Sequence, residues 1–412
     1  MDILVYADWI ELKEPTLMGT LTVAHTKGRE VFSFTYSADW INNGSAQSLD
    51  PDLQLFSGPQ YLSGEKKNFG IFLDSSPDRW GRVLMDRREA ILAKKENRKL
   101  KNLFEEDYLL GVYDLHRMGA LRFKQEIDGP FLNDNMGLTS PPWTSLRELE
   151  FASLQLENSE LKDEDLVKWI NLLLAPGASL GGARPKASVT GPDETLWIAK
   201  FPSVKDKIDI GAWEMVAADM ASVAGIRTPK SMIRQFNNDH HTFLSGRFDR
   251  HNDGSRIHFA SAMTLLGHTD GAEGVSYLDL AEFIMRNGGN VDEDLKELWK
   301  RIVFNIAIKN TDDHLRNHGF LLSRDGWLLS PAYDVNPVYF GRELTLNISE
   351  TDNSLDFDLA LSVARYFRVT NELANKIVND ISQVASNWKT FAHKYRISSR
   401  EQDLMAAAFE NR

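Results

Sequence analysis

Apolar and polar residues alternate at the start of the chain. Ile3-Leu4-Val5-Tyr6, Gly19-Thr20-Leu21-Thr22-Val23 and Val31-Phe32-Ser33-Phe34-Thr35-Tyr36 are β-branched or aromatic runs, broken by turn residues such as Lys27-Gly28. They predict strands, so residues 1–45 read as β structure. The period then changes. Trp80, Leu84 and Met85 stand at helical spacing behind Pro77-Asp78-Arg79, which predicts a helix within 74–100. A polar stretch over 125–145 holds Pro130, Pro141 and Pro142 and predicts a loop and a module boundary. A helix over 162–174 is stopped by Pro176-Gly177. A hairpin follows, with strands 186–189 and 195–201 around a turn at 190–194. Next come a helix over 212–224 ended by Gly225, and a buried strand at Thr242-Phe243-Leu244-Ser245. Beyond Ser276 the pattern is mostly helical, with 299–309 markedly apolar. There is no internal repeat and no low-complexity tract.

Composition narrows the classes. With 412 residues and 42% apolar content, the chain can bury a large core and divide into two or three domains. A net charge of −12 argues against non-specific nucleic-acid binding, which needs clustered Lys and Arg. Lys94, Lys95 and Lys101 form a local basic patch that reads as a solvated helix face. The absence of cysteine excludes disulfides, zinc–thiolate sites and Cys nucleophiles, and fits a reducing cytosol. The first residues carry acids and no basic leader, unlike a secretory signal. No apolar run reaches the length of a membrane span. The expectation is a soluble cytoplasmic protein.

Four constellations carry chemistry. Ser179-Leu180-Gly181-Gly182-Ala183-Arg184-Pro185-Lys186 is rich in small residues, which let backbone N–H groups approach phosphate oxygens. By itself the signal is weak, since paired glycines more often mark a tight turn. Lys200 lies on the second strand after it, and Glu214 on the next helix. A lysine that neutralises nucleotide phosphates needs such a carboxylate to orient it. In Asn310-Thr311-Asp312-Asp313-His314-Leu315-Arg316-Asn317, a candidate base Asp312 precedes a candidate metal ligand Asn317 by five residues. That is the spacing of a kinase catalytic loop, although an Asx-rich turn has the same composition. Asp334, in Ala332-Tyr333-Asp334-Val335-Asn336-Pro337, follows a short β run and suits a hard cation such as Mg²⁺. Asp-Phe-Gly and Ala-Pro-Glu motifs are absent. Each signal alone is modest, but together they stand in the chain order of a kinase site. His314 and His318 are four apart, yet Leu315 stands where a zinc protease needs Glu. His240-His241 follows Asn237-Asn238-Asp239 and predicts a solvated hairpin tip.

At these residues the chain resembles the HipA family of bacterial toxin–antitoxin kinases. The similar segments are Ser179 through Lys186, Trp197-Ile198-Ala199-Lys200-Phe201-Pro202, Arg247-Phe248-Asp249-Arg250, Thr311 through Asn317, and Ala332-Tyr333-Asp334-Val335. Gly19-Thr20-Leu21, Asp39-Trp40, Pro77-Asp78-Arg79-Trp80-Gly81 and Gly119-Ala120-Leu121-Arg122-Phe123 extend the resemblance over nearly the whole chain. It implies an α+β, protein-kinase-like, two-lobed fold with a β-rich N-terminal α/β subdomain and an all-α C-terminal one. The implied segments are a HipA-like N-terminal subdomain at 1–125, ATP-binding elements at 150–250 and a mainly helical lobe at 251–412. ATP and Mg²⁺ are the implied cofactors. Asp312 is the implied base, with Lys200 the ATP lysine and Asn317 and Asp334 the metal ligands. Gly181, Gly182, Ala183, Arg184, Pro185, Lys186, His314 and Tyr333 would complete the nucleotide site. Gly246, Arg247 and Phe248 would form the hinge beside adenine, and Ser179 would be autophosphorylated.

The implied partners are a protein substrate, such as an aminoacyl-tRNA synthetase, and a helix-turn-helix antitoxin, with DNA reached only through that antitoxin. The hinge reads Ser245-Gly246-Arg247-Phe248, where some members carry Glu before the Arg, and the segment 259–264 also departs from the best-known branch. A small-molecule kinase and a degenerate, non-catalytic component of a repressor complex are the competing readings. Intact Lys200, Asp312, Asn317 and Asp334 speak against the second.

Overall fold

The computed structural model describes residues 1–26, 28–42, 47–64, 66–135, 141–158, 169–170, 173, 184–237 and 239–410. The chain divides into two compact units. The first comprises Met1–Val204, Asp249–Ala260 and Gly267–Thr269, and the second Lys205–Phe248, Ser261–Leu266 and Asp270–Arg412. The segment expected at 150–250 is thus shared between them at Val204. The helix expected over 162–174 lies outside the described residues, apart from Trp169, Ile170 and Leu173.

The predicted opening strands form as β1 (Asp2–Ala7), β2 (Thr16–Thr26) and β3 (Arg29–Tyr36). With β4 (Gln60–Tyr61) and β5 (Leu121–Lys124) they make an antiparallel sheet in the order β4-β3-β2-β1-β5. Alternation points Ile3, Val5 and Ala7 inward from β1, and Phe32, Phe34 and Tyr36 inward from β3. Phe69 and Phe72 pack edge-on or tilted against Phe34 on this face, and Phe72 also meets Phe123 of β5 edge-on. Gly19 is required, because any Cβ there would meet the Thr35 carbonyl across the ladder. The helix Arg79–Lys95 begins where Asp78 caps it, its carboxylate accepting from the Gly81 N–H at 2.8 Å.

A buried arginine holds the loops around this sheet. Arg117 is fully buried, and its guanidinium donates to the carbonyls of Ser75, Leu109, Val112 and Leu132 at 2.8–3.0 Å. It also lies over the Phe123 ring, 4.6 Å from the centroid. Burial pushes its pKa down to about 9, so the group still carries its charge at neutral pH. Two of the similar segments meet nearby in a structural clamp. Gly119 has a φ of 70°. Its N–H donates to Asp249 at 2.8 Å, and Arg250 donates to its carbonyl and to that of Arg117.

The second unit is mainly helical, and its caps are legible in sequence. Ser276 and Asp279 form a capping box before the helix Tyr277–Asn287, and Thr370 and Ser398 cap Asn371–Ser386 and Ser399–Met405. Trp213, Trp388 and Phe409 form one aromatic cluster, with centroids 4.7–6.1 Å apart. Two hairpins interrupt the helices: Ser231–Gln235 with His241–Gly246, and Gly319–Ser323 with Gly326–Leu329. The second hairpin was not separated from the helical pattern, although Ser323-Arg324-Asp325-Gly326 between two apolar runs is a turn signal. Among the described residues no helix is long and apolar enough to cross a membrane.

Replacing Arg117 by Leu should destabilise the protein by about 3–5 kcal/mol, because three buried carbonyls and one half-buried one lose their donor together. Chemical denaturation of the parent and of Arg117→Leu measures this. A loss below about 1 kcal/mol, the worth of an ordinary hydrogen bond, would show that water or rearranged loops satisfy those carbonyls.

Candidate active site

The expected site residues fall in both units. In the first, Arg184 and Pro185 lead into the predicted hairpin, formed by Lys186–Thr190 and Leu196–Lys200. Its register sets Lys186 opposite Lys200, so both side chains leave the same face. Like charges there are unfavourable, and Asp78 offsets one of them. Lys186 Nζ and Asp78 Oδ2 are 2.8 Å apart, with both side chains buried. The carboxylate that caps the helix Arg79–Lys95 therefore also carries an ion pair, and the Lys186 ammonium, expected at nucleotide phosphates, sits beside it. Ser179, Gly181, Gly182 and Ala183 lie outside the described residues.

The second unit gathers the remaining residues. Glu214 is buried on the helix Ile210–Val223, as expected. Asp209 caps that helix through the Ala212 N–H, and the same carboxylate takes the His241 N–H and approaches His241 Nδ1. His241 is therefore not a solvated tip residue. Burial raises the Asp209 pKa, but the His241 and Ala212 hydrogen bonds outweigh it and hold the carboxylate below its usual range. Gly211 lets the helix lie against the His241 carbonyl, where a Cβ would not fit. The hinge candidates follow this strand. Gly246 ends it, its N–H donating to the Lys230 carbonyl at 2.8 Å. The Phe248 ring stacks at a tilt on Tyr333, centroids 5.6 Å apart.

The catalytic-loop candidate grows out of the end of the helix Val291–Ala307. The Lys309 N–H donates to the Ile306 carbonyl, and the Asn310 N–H to that of Asn305. Lys309 itself is left-handed, with a φ of 48°. This double hydrogen bond is a Schellman turn with Lys where Gly is usual. It throws the chain sideways into 310–317. There, a single 3₁₀ turn spans Leu315–Asn317. Asn317 closes the loop, its side-chain N–H donating to the Asp312 carbonyl at 3.0 Å. Asp312 opens to solvent at the tip, while Asp313 turns inward and is buried.

Asp334 is brought to the same loop by several ties. The Tyr333 hydroxyl donates to the Arg316 carbonyl at 2.6 Å, the Asn336 N–H to Asn310 Oδ1 at 3.3 Å and the Val338 N–H to the Lys309 carbonyl at 3.1 Å. Gly341 packs on Thr311 too closely for a Cβ. Asp334 adopts a φ of 57°, a conformation that Asp tolerates better than most residues but that still costs free energy.

The electrostatics reflect this gathering. Desolvation on its protein side pushes the Asp312 pKa up. His314 opposes the rise, and the carboxylates of Asp334 and Asp313 add to it. Asp313 differs. Burial pushes its pKa up, but His318 and the Tyr277 hydroxyl outweigh that and hold it ionised.

The oxygens fit a hard cation. Asn317 Oδ1 and Asn336 Oδ1 are buried without a protein hydrogen-bond partner, and Asp334 lies two residues before Asn336. Amide and carboxylate oxygens are the donors Mg²⁺ takes, usually with water and phosphate completing its shell. Among the described residues no cluster of three or more His, Cys, Asp or Glu could hold a metal. His318, four residues after His314, places its Nε2 2.8 Å from Asp313. Asn336 was missed as a site residue in the sequence, where an Asn before Pro337 reads as a turn. Asn305 was missed among the apolar residues Ile302, Val303, Phe304 and Ile306.

Comparison with known proteins agrees with this architecture. The structure of Shewanella oneidensis MR-1 HipA, solved with HipB and its operator DNA, superimposes with a TM-score of 0.63 at 17% identity, covering 98% of this chain and 94% of that one. A Haemophilus influenzae protein named "Putative kinase" is 26% identical over 179 residues, 38% of this chain. The chain spans about half (52%) of that relative's length. The model of the HipA-like C-terminal domain matches residues 178–388, just over half of the sequence, and the chain therefore belongs to the HipA-like family.

Proposed function

We propose that this chain is an ATP- and Mg²⁺-dependent protein kinase that transfers the γ-phosphoryl group to a serine or threonine hydroxyl, and that it is the toxin of a toxin–antitoxin pair. The observation that carries the reading is the joining of the 310–317 loop to the Asp334 segment, with Asp312, Asn317 and Asp334 at their junction. Such a site needs little covalent chemistry from the protein. Positioning and neutralisation of charge do most of the work.

Asp312, open to solvent and linked to the site through Asn317, would orient the acceptor hydroxyl and take its proton. Its raised pKa makes it a better base than an ordinary carboxylate. Asn317 Oδ1 and Asp334 would hold Mg²⁺, which would offset the negative charge of the phosphate. The tilted Phe248 and Tyr333 rings offer an aromatic surface to a nucleobase. Lys200, Arg184 and His314 would meet phosphate oxygens. Lys186 would take part only by shifting its buried pairing with Asp78. Autophosphorylation at Ser179 belongs to the same reading.

A protein substrate from translation, such as an aminoacyl-tRNA synthetase, and a basic helix-turn-helix antitoxin are the proposed partners. The Shewanella HipA, seen with HipB and operator DNA, supports the second. A net charge of −12 leaves DNA contact to that partner.

Asp312→Asn should lower phosphotransfer by about 100- to 10,000-fold while leaving Mg²⁺-ATP binding largely unchanged. Asp334→Ala should weaken Mg²⁺-dependent ATP binding in calorimetric titration. Normal transfer by the first variant, or normal binding by the second, would remove these assignments.

His314→Gln removes the influence that lowers the Asp312 pKa, so the acid limb of the kcat/KM pH profile should move to higher pH. An acid limb that stays in place means that another group titrates there. Incubation with Mg²⁺-ATP followed by peptide mapping should find phosphate on Ser179, with activity falling as it accumulates. An unmodified Ser179 in an active enzyme rules out the autophosphorylation.

A further inference from the structure

A continuous chain of buried side-chain amides runs beneath the candidate active site, within the second unit. Asp313 Oδ2 receives the Tyr277 hydroxyl at 2.5 Å and Asn305 Nδ2 at 2.8 Å, and lies 2.8 Å from His318 Nε2. Asn305 uses its other end as well, its Oδ1 accepting from Asn310 Nδ2 at 3.0 Å. Asn310 does the same. Its Oδ1 accepts the Asn336 N–H at 3.3 Å, and Asn336 Nδ2 donates to Asp334 Oδ1 at 3.4 Å. Tyr277, Asn305, Asn310, Asp313 and His318 are each at most 4% exposed.

Such a chain is costly to bury, and nothing about the helix demands it. Asn305 sits between Phe304 and Ile306 on an otherwise apolar stretch, where Leu would pack without a polar group to satisfy. Every step of the chain is directional. Asn305 donates toward the base loop and accepts from Asn310. Asn310 in turn accepts from the segment that carries Asp334. A carboxamide is the side chain that can donate at one end and accept at the other. Asp313 neighbours the candidate base Asp312, and His318 neighbours the candidate metal ligand Asn317. The two amides thus link the backbone on both sides of the loop to the backbone that carries Asp334.

We propose that Asn305 and Asn310 are positioning residues that hold the base loop and the Asp334 segment at one fixed spacing. The inference rests on the reading of Asp312 as base and Asp334 as metal ligand. The relay touches neither nucleotide nor acceptor. It fixes two loop segments, one bearing a left-handed Asp334, relative to each other. A displacement of about 1 Å can cost about 100-fold in rate.

The test compares the parent with Asn305→Leu, Asn310→Leu and the double variant. Each single variant should lower kcat by about 10- to 100-fold and raise the Mg²⁺ concentration needed for half-maximal activity. The double variant should be little worse than the weaker single one, because the relay is already broken. A merely structural role predicts otherwise: an earlier unfolding midpoint, a smaller active fraction and an unchanged Mg²⁺ dependence. Should the Leu variants fail to fold, the isosteric Asn305→Asp and Asn310→Asp carry the same comparison, since each keeps the acceptor oxygen and loses the donor. An active parent whose variants keep its Mg²⁺ dependence, or whose two losses multiply, overturns the positioning role alone. A parent without phosphotransfer overturns the kinase reading and the role with it.

Discussion

A buried polar stripe on the helix Val291–Ala307 is the constraint on which the second unit depends. Asp294, Glu297, Arg301 and Asn305 recur at helical spacing and are almost wholly buried. Asp294 accepts the Leu329 N–H at 2.9 Å and a guanidinium N–H of Arg227. Glu297 accepts the Arg227 N–H and two N–H groups of Arg301, whose guanidinium also donates to the Ser330 carbonyl at 2.6 Å. The helix therefore grips the strand end just before Asp334 along its middle, and the loop that carries Asp312 at its C-terminal end. Buried charges of this kind add little net stability, because desolvation offsets their attraction. Their effect is to make one arrangement much better than its neighbours, which an apolar face would not do.

The two ends of this helix make different demands. At the loop, the chain accepts a left-handed Lys309 and a left-handed Asp334, each at a cost in backbone free energy. The Schellman hydrogen bonds and the Asn310 contacts offset that cost and remove the freedom to relax. The electrostatics point the same way. Burial raises the Asp312 pKa, His314 opposes the rise, and the carboxylates of Asp334 and Asp313 add to it, so three acids share one junction. On the proposed reading, a divalent cation brought there by a nucleotide would offset that negative charge.

Several residues shared with the resembled family do structural work instead. Asp249 and Arg250 clamp the Gly119 turn, and Asp78 both caps a helix and pairs with Lys186. Motif matching alone does not separate such residues from those that touch substrate.

The sequence by itself determined the local elements. The alternation of β1 to β3, the hairpin carrying Lys200, the caps at Asp78, Ser276 and Thr370, and the helix ending before Gly225 all follow from side-chain period and capping chemistry acting over a few residues. The five-residue spacing of Asp312 and Asn317 was legible for the same reason, since the 310–317 loop is a short segment, whereas Asp334 reaches that loop only through tertiary hydrogen bonds. Tertiary structure decided the rest. Arg117 binds four carbonyls scattered from Ser75 to Leu132, His241 is drawn to Asp209, and Asn305 bridges Asp313 and Asn310. None of these has a sequence period, because a hydrogen bond between distant segments depends on where folding places its two ends, and burial makes that placement strict.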